Sequence, residues 1–590
     1  MTYTHLKSRV NSLRTYTFFA VLLFVFLPTV SFALTPIAHT DVVPYQRIEY
    51  GTSFNFGVVA FSKAGIDRVD FAISGQGYSG GTKSSSSMAL NTRVASTSPG
   101  AEYPGVYEYY VTISASEFTS NGMITVTPTV NGNDGGTKSL PAVTLYVEGA
   151  NDESPTEAWV DANTSDGAGT LNNDADPFPT ISSAISAIET ANGDCDYAVI
   201  YLAEDTYNTD ITGSTITSDE WLTITRKSGA DIAKVIIDEY GTSYNTNHLK
   251  MKGITLRSTG SGDKALSRDG AWIDQCRMIG PGRGYSFPHP VSGSGNYYTS
   301  SYIYAVRFGI EGQASFVRGL DVHYLDDDFF QNKRDFMAVN CKVDDTYGTY
   351  DENHTDIIQI YSNPFDNIIV YNLVATNIQY QSIFLNAGDG AGGGSTNWAL
   401  VNCLFEIRTK TPGGGRGWIH DKWNHLLLWH CTFGAYFPSD FPWGTLWLAD
   451  YGNDGDDMEF DNTSFIGNVF RSLNIEIGDA GYGNDFLDSG NSYGNEASYN
   501  HYEETRGYEA GENYTTGTGV LDFDTPGSDT FGYPVDEAII IDRLPSNLTG
   551  VMCDAYGNPR DSRPDVGALE AGSGTASSLP SAPRNLSVID

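Results

Sequence analysis

The chain has 590 residues and a formal net charge of −38 at pH 7. So acidic a surface repels phosphate, which argues against nucleic acid as a partner, and it repels anionic polysaccharides unless a local cationic patch or bound calcium offsets the field. Six cysteines are too few for a disulfide-built scaffold, and the abundance of Gly, Tyr and Thr predicts an all-β chain with a hydrophobic core.

The N-terminal segment has the layout of a secretory signal peptide. Lys7, Arg9 and Arg14 precede the apolar run FFAVLLFVFLPTV, and Ser-Phe-Ala at 31–33 provides small residues at the cleavage positions. We therefore expect residues 1–33 to be removed and the mature protein to be secreted, either extracellular or held at the cell surface. No later run reaches the about 18 apolar residues of a spanning helix, so we expect no membrane span.

Residues 37–149 are predicted to form a small β-sandwich. The segments SFNFGVVAF, RVDFAIS, GVYEYYVTIS, GMITVTPTV and AVTLYVE alternate apolar and polar residues, and Gly, Asn and Ser turns separate them. This spacing resembles an immunoglobulin-like module, although the Cys…Trp…Cys core signature is missing. The resemblance implies a binding or spacer function for this segment.

The next segment, PFPTISSAISAI, predicts an amphipathic helix capped by Thr180 or Ser182. Its apolar face consists of Ile181, Ala184, Ile185 and Ile188. The helix followed by VIYLAEDTY resembles the entry to right-handed parallel β-helix proteins of the pectate-lyase-like superfamily, in which such a helix plugs the open end of the solenoid. Asp205 stands where those proteins usually have Gly, a departure that concerns one turn.

A repeat supports the same fold independently of the resemblance. WIDQCRM, MAVNCKV, IVYNLVA, ALVNCLF, LLWHCTF and FIGNVFR share an apolar strand around a polar-then-small step, at intervals of roughly 30 residues. Such units must stack to bury their apolar faces, which predicts a parallel solenoid over 157–572. The same position of successive repeats is assigned to Cys341, Leu373, Cys403, Cys431 and Val469. We expect a structural file of stacked side chains from Asn340, Asn372, Asn402 and Asn468.

The C-terminal sequence adds two further resemblances. YGNPRDSRPDVGALEAG (556–572) resembles the closing segment of many exported bacterial β-helix proteins. In residues 573–590, SGTASSLP reads as a linker, and SAPRNLSVID resembles the first strand of a fibronectin type III domain. We expect a truncated start of such a domain here, so that the natural protein continues beyond Asp590.

Another strand recurs in each coil, in DFFQNK, DIIQIY, QSIFLN, GWIHDK and TLWLADY. Alternation predicts inward-pointing Phe330, Ile358, Ile383, Ile419 and Leu448. It predicts one outward file of Gln331, Gln359, Phe384 and His420, and a second of Lys333, Tyr361, Asn386, Lys422 and Tyr451. Trp418 and Trp447 are assigned to a third outward file.

This face suggests a polysaccharide-active enzyme, and our first hypothesis is a lyase that cleaves an acidic polysaccharide by β-elimination. Lys333 is the candidate base, because Arg334 beside it disfavours its charged form, and Tyr361 is the candidate proton donor. Lys422 would hold a neighbouring uronate. The remaining candidates are catalytic His354 and His420, and substrate-binding Gln359, Asn386, Arg416, Trp418 and Trp447. HTDIIQ (354–359) resembles short stretches of some β-helix polysaccharide-degrading proteins.

Two alternatives stay open. One is an inverting glycoside hydrolase, in which two carboxyl groups act as acid and base; Asp326, Asp327 and Asp328 form the densest acidic cluster near the face, although we interpret them first as cation ligands. The other is a non-catalytic glycan-binding or adhesive protein. Calcium is a candidate cofactor, also for the acidic loop 450–462. We expect a monomer, and a disulfide between Cys403 and Cys431 is left open.

Overall fold

The structure is a computed structural model. The residues described below are 33–92, 105–164, 169–208, 218–238, 248–259, 265–280, 289–310, 314–331, 334–346, 355–360, 366–386, 395–408, 417–420, 422–435, 445–449, 459–471, 473–476, 495–503, 513–517, 520–521, 533–535, 538–545 and 548–571. The predicted signal peptide, apart from Ala33, and the segment 573–590 lie outside them.

Two small sheets form a sandwich at the N-terminal end of the described chain. The described strands of each sheet pair antiparallel, except that β10 pairs parallel with β2. Alternation buries one side of each strand, and the rings of Phe56 and Phe71 meet edge to face at 5.9 Å. The first sheet contains β1 (Ile37–Thr40), β3 (Ser53–Phe61), β6 (Ala89–Asn91) and β7 (Val106–Ser114). The second contains β2 (Arg47–Ile48), β4 (Ile66–Ser74), β5 (Thr82–Ser85), β8 (Gly122–Gly132), β9 (Thr137–Ser139) and β10 (Val143–Val147). A 3₁₀ turn (Ala115–Glu117) follows β7.

The helix α1 (Ile181–Asn192) confirms the sequence prediction. Thr180 is the N-cap and accepts a hydrogen bond from the Ser183 backbone N–H at 3.1 Å, while Gly193 ends the helix in the left-handed conformation. Its buried residues are Ile181, Ala184, Ile185 and Ile188. They join the apolar interior of the solenoid, so the helix plugs the first coil. No helix in the described part of the chain is long and apolar enough to cross a membrane.

The rest of the described chain is mainly a parallel β-helix, which confirms the predicted fold class. Among the described residues, 25 strands form one sheet in which every pair is parallel and neighbouring strands come from successive coils. A five-stranded parallel sheet lies beside it, and its strands also come from successive coils. Apolar side chains from both sheets fill the interior along the axis. Each coil contributes a few residues to a shared core, which is why the sequence repeats.

The strands have the following bounds. The large sheet contains β11 (Thr156–Val160), β12 (Ala198–Leu202), β13 (Asp205–Tyr207), β14 (Leu222–Arg226), β15 (Val235–Asp238), β16 (Leu249–Lys252), β17 (Thr255–Arg257), β19 (Trp272–Asp274), β20 (Arg277–Ile279), β22 (Asn296–Thr299), β23 (Tyr302–Tyr304), β24 (Ala314–Arg318), β25 (Asp321–Leu325), β26 (Arg334–Thr346), β28 (Asp366–Ile378), β30 (Ser395–Val401), β31 (Leu404–Ile407), β33 (Lys422–Trp429), β34 (Thr432–Ala435), β36 (Glu459–Asp461), β37 (Ser464–Ile466), β38 (Val469–Phe470), β40 (Glu496–Ser498), β41 (His501–Tyr502) and β42 (Thr515–Thr516). The five-stranded sheet contains β27 (Asp356–Ile360), β29 (Gln381–Asn386), β32 (Gly417–His420), β35 (Leu446–Ala449) and β39 (Leu473–Glu476). A separate pair consists of β18 (Leu266–Ser267) and β21 (Val291–Ser292), and a 3₁₀ turn (Ile232–Lys234) precedes β15.

A left-handed residue at the same point of successive coils bends the large sheet into two faces. Asn340, Asn372 and Asn402 occupy this corner with φ values of 53°, 58° and 53°. The Asn372 amide donates to the Asn340 Oδ1 atom at 2.8 Å, and the Asn402 amide donates to the Asn372 Oδ1 atom at 3.0 Å. Asn is one of the few residues that tolerate this conformation, so the predicted Asn file also fixes the corner.

The predicted equivalence of the later coils was wrong by one residue. Val469 pairs with Thr432, so the partner of Cys431 is Asn468. His430 and Gly467 take the corner position in these two coils, with φ values of 53° and 67°. Asn468 instead donates to the Oδ1 atom of Asn500 at 3.0 Å, one step along the strand.

The three faces of the solenoid have different surroundings. The first face, before the corner, packs against the sandwich through an outward apolar file: Trp272, Phe316, Met337, Ile369, Ala399 and Leu427. Ion pairs frame the contact, with Arg47 bound to Glu148 and Glu220 and Arg318 bound to Asp41, each at 2.7 Å. The second face follows the corner, and the third face is the five-stranded sheet.

The segment 551–571 folds back over the corner. The buried Arg560 side chain binds Glu570 at 2.9 Å and donates to the Asn402 Oδ1 atom at 3.2 Å. The Asn402 amide in turn donates to the Cys553 carbonyl at 2.6 Å. This segment therefore covers the side of the solenoid at the Asn file. All six cysteines are buried free thiols, including Cys403 and Cys431.

Candidate functional site

The third face carries the candidate site, and its register differs from the predicted one. Gln359 pairs with Phe384 as predicted, but Phe384 pairs with Trp418, which pairs with Trp447. The predicted partner of Phe384, His420, instead pairs with Asn386. Both tryptophans therefore belong to the same outward file as Gln359 and Phe384, and the separate third file was wrong.

Two acidic residues from successive coils come together at the start of this face. The Asp328 Oδ1 atom accepts a hydrogen bond from the Asp356 backbone N–H at 3.0 Å. The Gln331 amide donates to the Asp328 Oδ2 atom at 2.5 Å and to the Gln359 Oε1 atom at 3.0 Å. Gln359 completes the ring by donating to the Asp356 Oδ2 atom at 3.0 Å. The two carboxyl groups thus share one continuous hydrogen-bond network.

The network continues to the aromatic side chains of the same face. In the amide orientation that satisfies both of its partners, Gln381 donates to the Asp356 Oδ1 atom at 2.7 Å and accepts from the Trp418 Nε1–H at 2.8 Å. Both carboxylate oxygens of Asp356 therefore accept a hydrogen bond from an amide. Gln381 places the indole of Trp418 one side chain away from the carboxyl pair.

Trp418 is the centre of an aromatic row that runs along the solenoid axis. Its ring centroid lies 4.2 Å from that of Trp447 and 5.0 Å from that of His420. The rings of Phe384 and His420 lie 5.5 Å apart. Trp418 is half-buried, whereas His420 is fully buried and Trp447 is 9% exposed. The part of the row that the structure leaves open to solvent therefore centres on Trp418 and Phe384.

The surroundings of Asp328 raise the pKa of its carboxyl group. Burial, followed by the nearby carboxyls of Asp356 and Asp327, raises the pKa of Asp328 well above its ordinary value. Asp327 has a cationic partner, because the Arg307 guanidinium binds its Oδ2 atom at 2.8 Å. The carboxyl group with the raised pKa therefore lies beside two acidic side chains, Asp327 and Asp356, that interact with guanidinium and amide donors.

The remaining predicted site residues are distributed as follows. Lys333, His354, Tyr361 and Arg416 lie outside the described residues. Lys422 was placed in the wrong file, because it begins β33 of the large sheet and pairs with Glu459. Arg334 is exposed at the start of β26, opposite Asp366. Asn386 is buried beside His420 on the third face, and Gln359 is part of the network.

The predicted metal cluster Asp326–Asp328 has a different environment from the one expected. Asp327 binds Arg307, and Asp328 accepts two hydrogen bonds. Within the described residues, the group of His, Cys, Asp and Glu side chains whose ligand atoms could surround one metal ion is His323, Asp344 and Asp345, not this cluster.

Asp356, Gln381 and Arg307 are the site residues that sequence reasoning missed. Asp356 lies 28 residues after Asp328, close to the length of one coil. That spacing, combined with the polar cluster at each end, was the signal that could have paired them. Gln381 and Arg307 carried no comparable signal.

Comparisons with known proteins leave the family open. No family model matches the sequence, and no curated protein matches it. Among solved structures, the chain resembles the catalytic domain of a GH87 α-1,3-glucanase in complex with tetrasaccharides, with 11% identity, covering 85% of this chain and 97% of that one. The TM-score is 0.28.

Proposed function

We propose that this protein is a secreted glycoside hydrolase that acts on a polysaccharide bound along the third face. The observation that carries the proposal is the contact between Asp328 and Asp356, joined through Gln381 to the aromatic row. Glycoside hydrolysis uses two carboxyl groups, one protonated and one ionised, on either side of the scissile bond. Aromatic rings beside them can stack on the apolar faces of sugar rings.

The environments of Asp328 and Asp356 suggest which of them acts as the general acid and which as the carboxylate. Asp328, which is fully buried and whose pKa is raised by burial and by Asp356 and Asp327, would act as the general acid once the substrate displaces the side chains that cover it. Asp356, whose oxygens accept hydrogen bonds from Gln359 and Gln381, is the carboxylate partner. Two carboxyl groups whose surroundings separate their protonation states are typical of an acid and base pair.

The charge of the site favours a neutral glycan over the acidic one first expected. Asp327, Asp328 and Asp356 lie together, and the whole chain has a net charge of −38. Carboxyl groups repel a uronate, and the Arg307 guanidinium that contacts this cluster is bound to Asp327. The lyase hypothesis remains a prediction that rests on residues outside the described ranges.

The proposal is tested by incubating the purified protein with a panel of neutral and acidic polysaccharides. Hydrolysis releases reducing ends without ultraviolet absorbance, whereas β-elimination creates an unsaturated sugar that absorbs. We expect new reducing ends from a neutral polysaccharide and no absorbing product. An absorbing product from an acidic polysaccharide would support the lyase instead, and binding without cleavage would support the adhesive alternative.

A further inference from the structure

A second polar cluster lies on another surface of the solenoid, the second face. It is built from β25 and from the half of β26 that comes after the corner at Asn340. The pairing of these two strands places His323 opposite Asp344. Asp321 lies two residues before His323 and so shares its side of the strand. Asp345 has a φ of 59°, which breaks the strand alternation and lets it join Asp344 on the same side.

The distances show a compact group. Ligand atoms of His323, Asp344 and Asp345 all lie within 4.8 Å of one another. The His323 Nδ1 atom is 4.0 Å from the Asp344 Oδ2 atom, and its Nε2 atom is 2.9 Å from the Asp321 Oδ1 atom. Each ring nitrogen of His323 therefore faces a different carboxylate.

Asp321 provides an independent observation. Its side chain is 2% exposed, and within the described residues neither its oxygens nor the His323 Nε2 atom makes a hydrogen bond, although Nε2 and Oδ1 lie 2.9 Å apart. A buried carboxylate needs a partner, and the His323 Nε2 atom is the polar group within reach. With the proton on Nε2, the Nδ1 lone pair points toward Asp344 and Asp345.

We propose that His323, Asp344 and Asp345 bind a divalent transition-metal ion of the Zn²⁺ class, with Asp321 holding the histidine in place. Metal-binding histidines usually donate their other ring N–H to a carboxylate, which fixes the tautomer and the ring orientation. Four residues on two neighbouring strands bring these groups together, with the His323 Nε2 atom 2.9 Å from the Asp321 Oδ1 atom.

The carboxylates are themselves oriented by the next coil. The Thr376 hydroxyl donates to the Asp344 Oδ1 atom at 2.8 Å, and the Asn377 amide donates to the Asp345 Oδ1 atom. Each carboxylate keeps a second oxygen that can face a metal.

The ligand types decide the class of ion. One imidazole nitrogen and two carboxylates form a set that Zn²⁺ and Co²⁺ accept in four-coordinate sites, with water completing the shell. Ca²⁺ prefers six to eight oxygen ligands and is disfavoured by the imidazole. The inference is separate from the proposed function, because none of these residues belongs to the carboxyl network of the third face.

The test uses the full chain, stripped with chelator and titrated with Co²⁺ while the visible absorption is recorded. We expect one saturable equivalent with bands of a low-coordinate site, and the same site should bind Zn²⁺ by calorimetry. His323→Gln should weaken binding at least tenfold. Asp321→Asn keeps every ligand and should weaken it by about 10- to 100-fold through the orientation of the ring.

His248→Gln is the matched control, since His248 bonds to the Ser218 carbonyl in an earlier coil and should leave the titration unchanged. Circular dichroism of each variant checks that the β-helix is intact. Failure of the parent chain to bind Co²⁺ saturably would overturn the proposal. So would unchanged affinity in folded His323→Gln, or a parent that binds Ca²⁺ but not Co²⁺.

Discussion

The Asp328 carboxyl accepts a hydrogen bond from the backbone N–H of Asp356, one coil further along the chain, at 3.0 Å. This contact ties the turn before the third face to its first full strand. It also places two acidic side chains in one buried network, where the Asp356 carboxyl group helps to raise the pKa of Asp328. Stability and chemistry are therefore coupled at this point.

The first prediction concerns the stability contributed by Asp328. The pKa of Asp328 is higher in the folded state than in the unfolded state. Its contribution to the free energy of unfolding is therefore fully present below the unfolded-state pKa and is lost as pH rises through the folded-state pKa. The Asn side chain of Asp328→Asn cannot ionise, so the variant does not share this loss. The free energy of unfolding of the variant, minus that of the parent, should therefore increase from mildly acidic to neutral pH. Urea unfolding at a series of pH values measures this difference. Identical pH dependence in the two proteins would contradict it.

The second prediction concerns Trp418, whose ring contacts the rings of Trp447 and His420. Trp418→Ala removes the half-buried centre of the aromatic row, so KM for the polysaccharide should rise about tenfold, equivalent to about 1.4 kcal/mol. Trp159→Ala is the matched control, because Trp159 stacks on Tyr201 in the first coils. Equal KM values for the two variants would show that the polysaccharide binds at a surface other than the third face.

The third prediction concerns the contact between the sandwich and the solenoid at low pH. His425 is buried there, with its Nε2 atom 3.2 Å from the Lys63 backbone nitrogen, and burial lowers the pKa of His425 from 6.5 to about 4. Because the pKa of His425 is lower in the folded state, its contribution to the free energy of unfolding is present above pH 6.5 and is lost as pH falls toward 4. The loss amounts to about 3 kcal/mol.

Thermal unfolding between pH 7 and pH 4 measures this effect. His425→Gln keeps a polar side chain but cannot titrate, so the variant should lose less stability than the parent over the same range. If the variant loses as much stability as the parent between pH 7 and pH 4, groups other than His425 cause the loss.

The fourth prediction concerns the Asn file. Asn372 is buried, has a φ of 58° and bonds to both Asn340 and Asn402. Asn372→Ala loses these bonds and places an alanine in the left-handed region, whereas Asn372→Gly loses only the bonds. Both should destabilise the protein, and the glycine variant should be the more stable by about 1 kcal/mol. Denaturant unfolding tests the order, and an alanine variant that is the more stable would contradict it.

The sequence predicted the β-helix and its capping helix well because both depend on local patterns. Ile181, Ala184, Ile185 and Ile188 recur at the helical period, and the helix buries all four. The apolar repeat requires stacking whatever the details of the coils. The Asn file was found for its first three members because they share a residue type. It failed at Asn468 because Gly467 serves the corner in that coil.

The site was harder to predict because it depends on the register between coils. Pairing Phe384 with His420 rather than with Trp418 is a slip of two residues, which keeps every apolar residue on the inside. Hydrophobic alternation cannot detect such a slip. The same limitation hid the link from Asp356 through Gln381 to Trp418, since each belongs to a different coil and the loops between them vary in length.

The most direct test of the account is the rate at which Asp328→Asn hydrolyses a polysaccharide that the parent cleaves, compared with Asp174→Asn. Asp174 lies before the capping helix with its side chain 64% exposed, so its variant controls for the loss of one charge. We expect kcat to fall at least about 100-fold in Asp328→Asn, as for the loss of a general acid, and to be unchanged in Asp174→Asn. A folded Asp328→Asn protein that retains the parent's kcat would contradict the assignment of the active site to the third face.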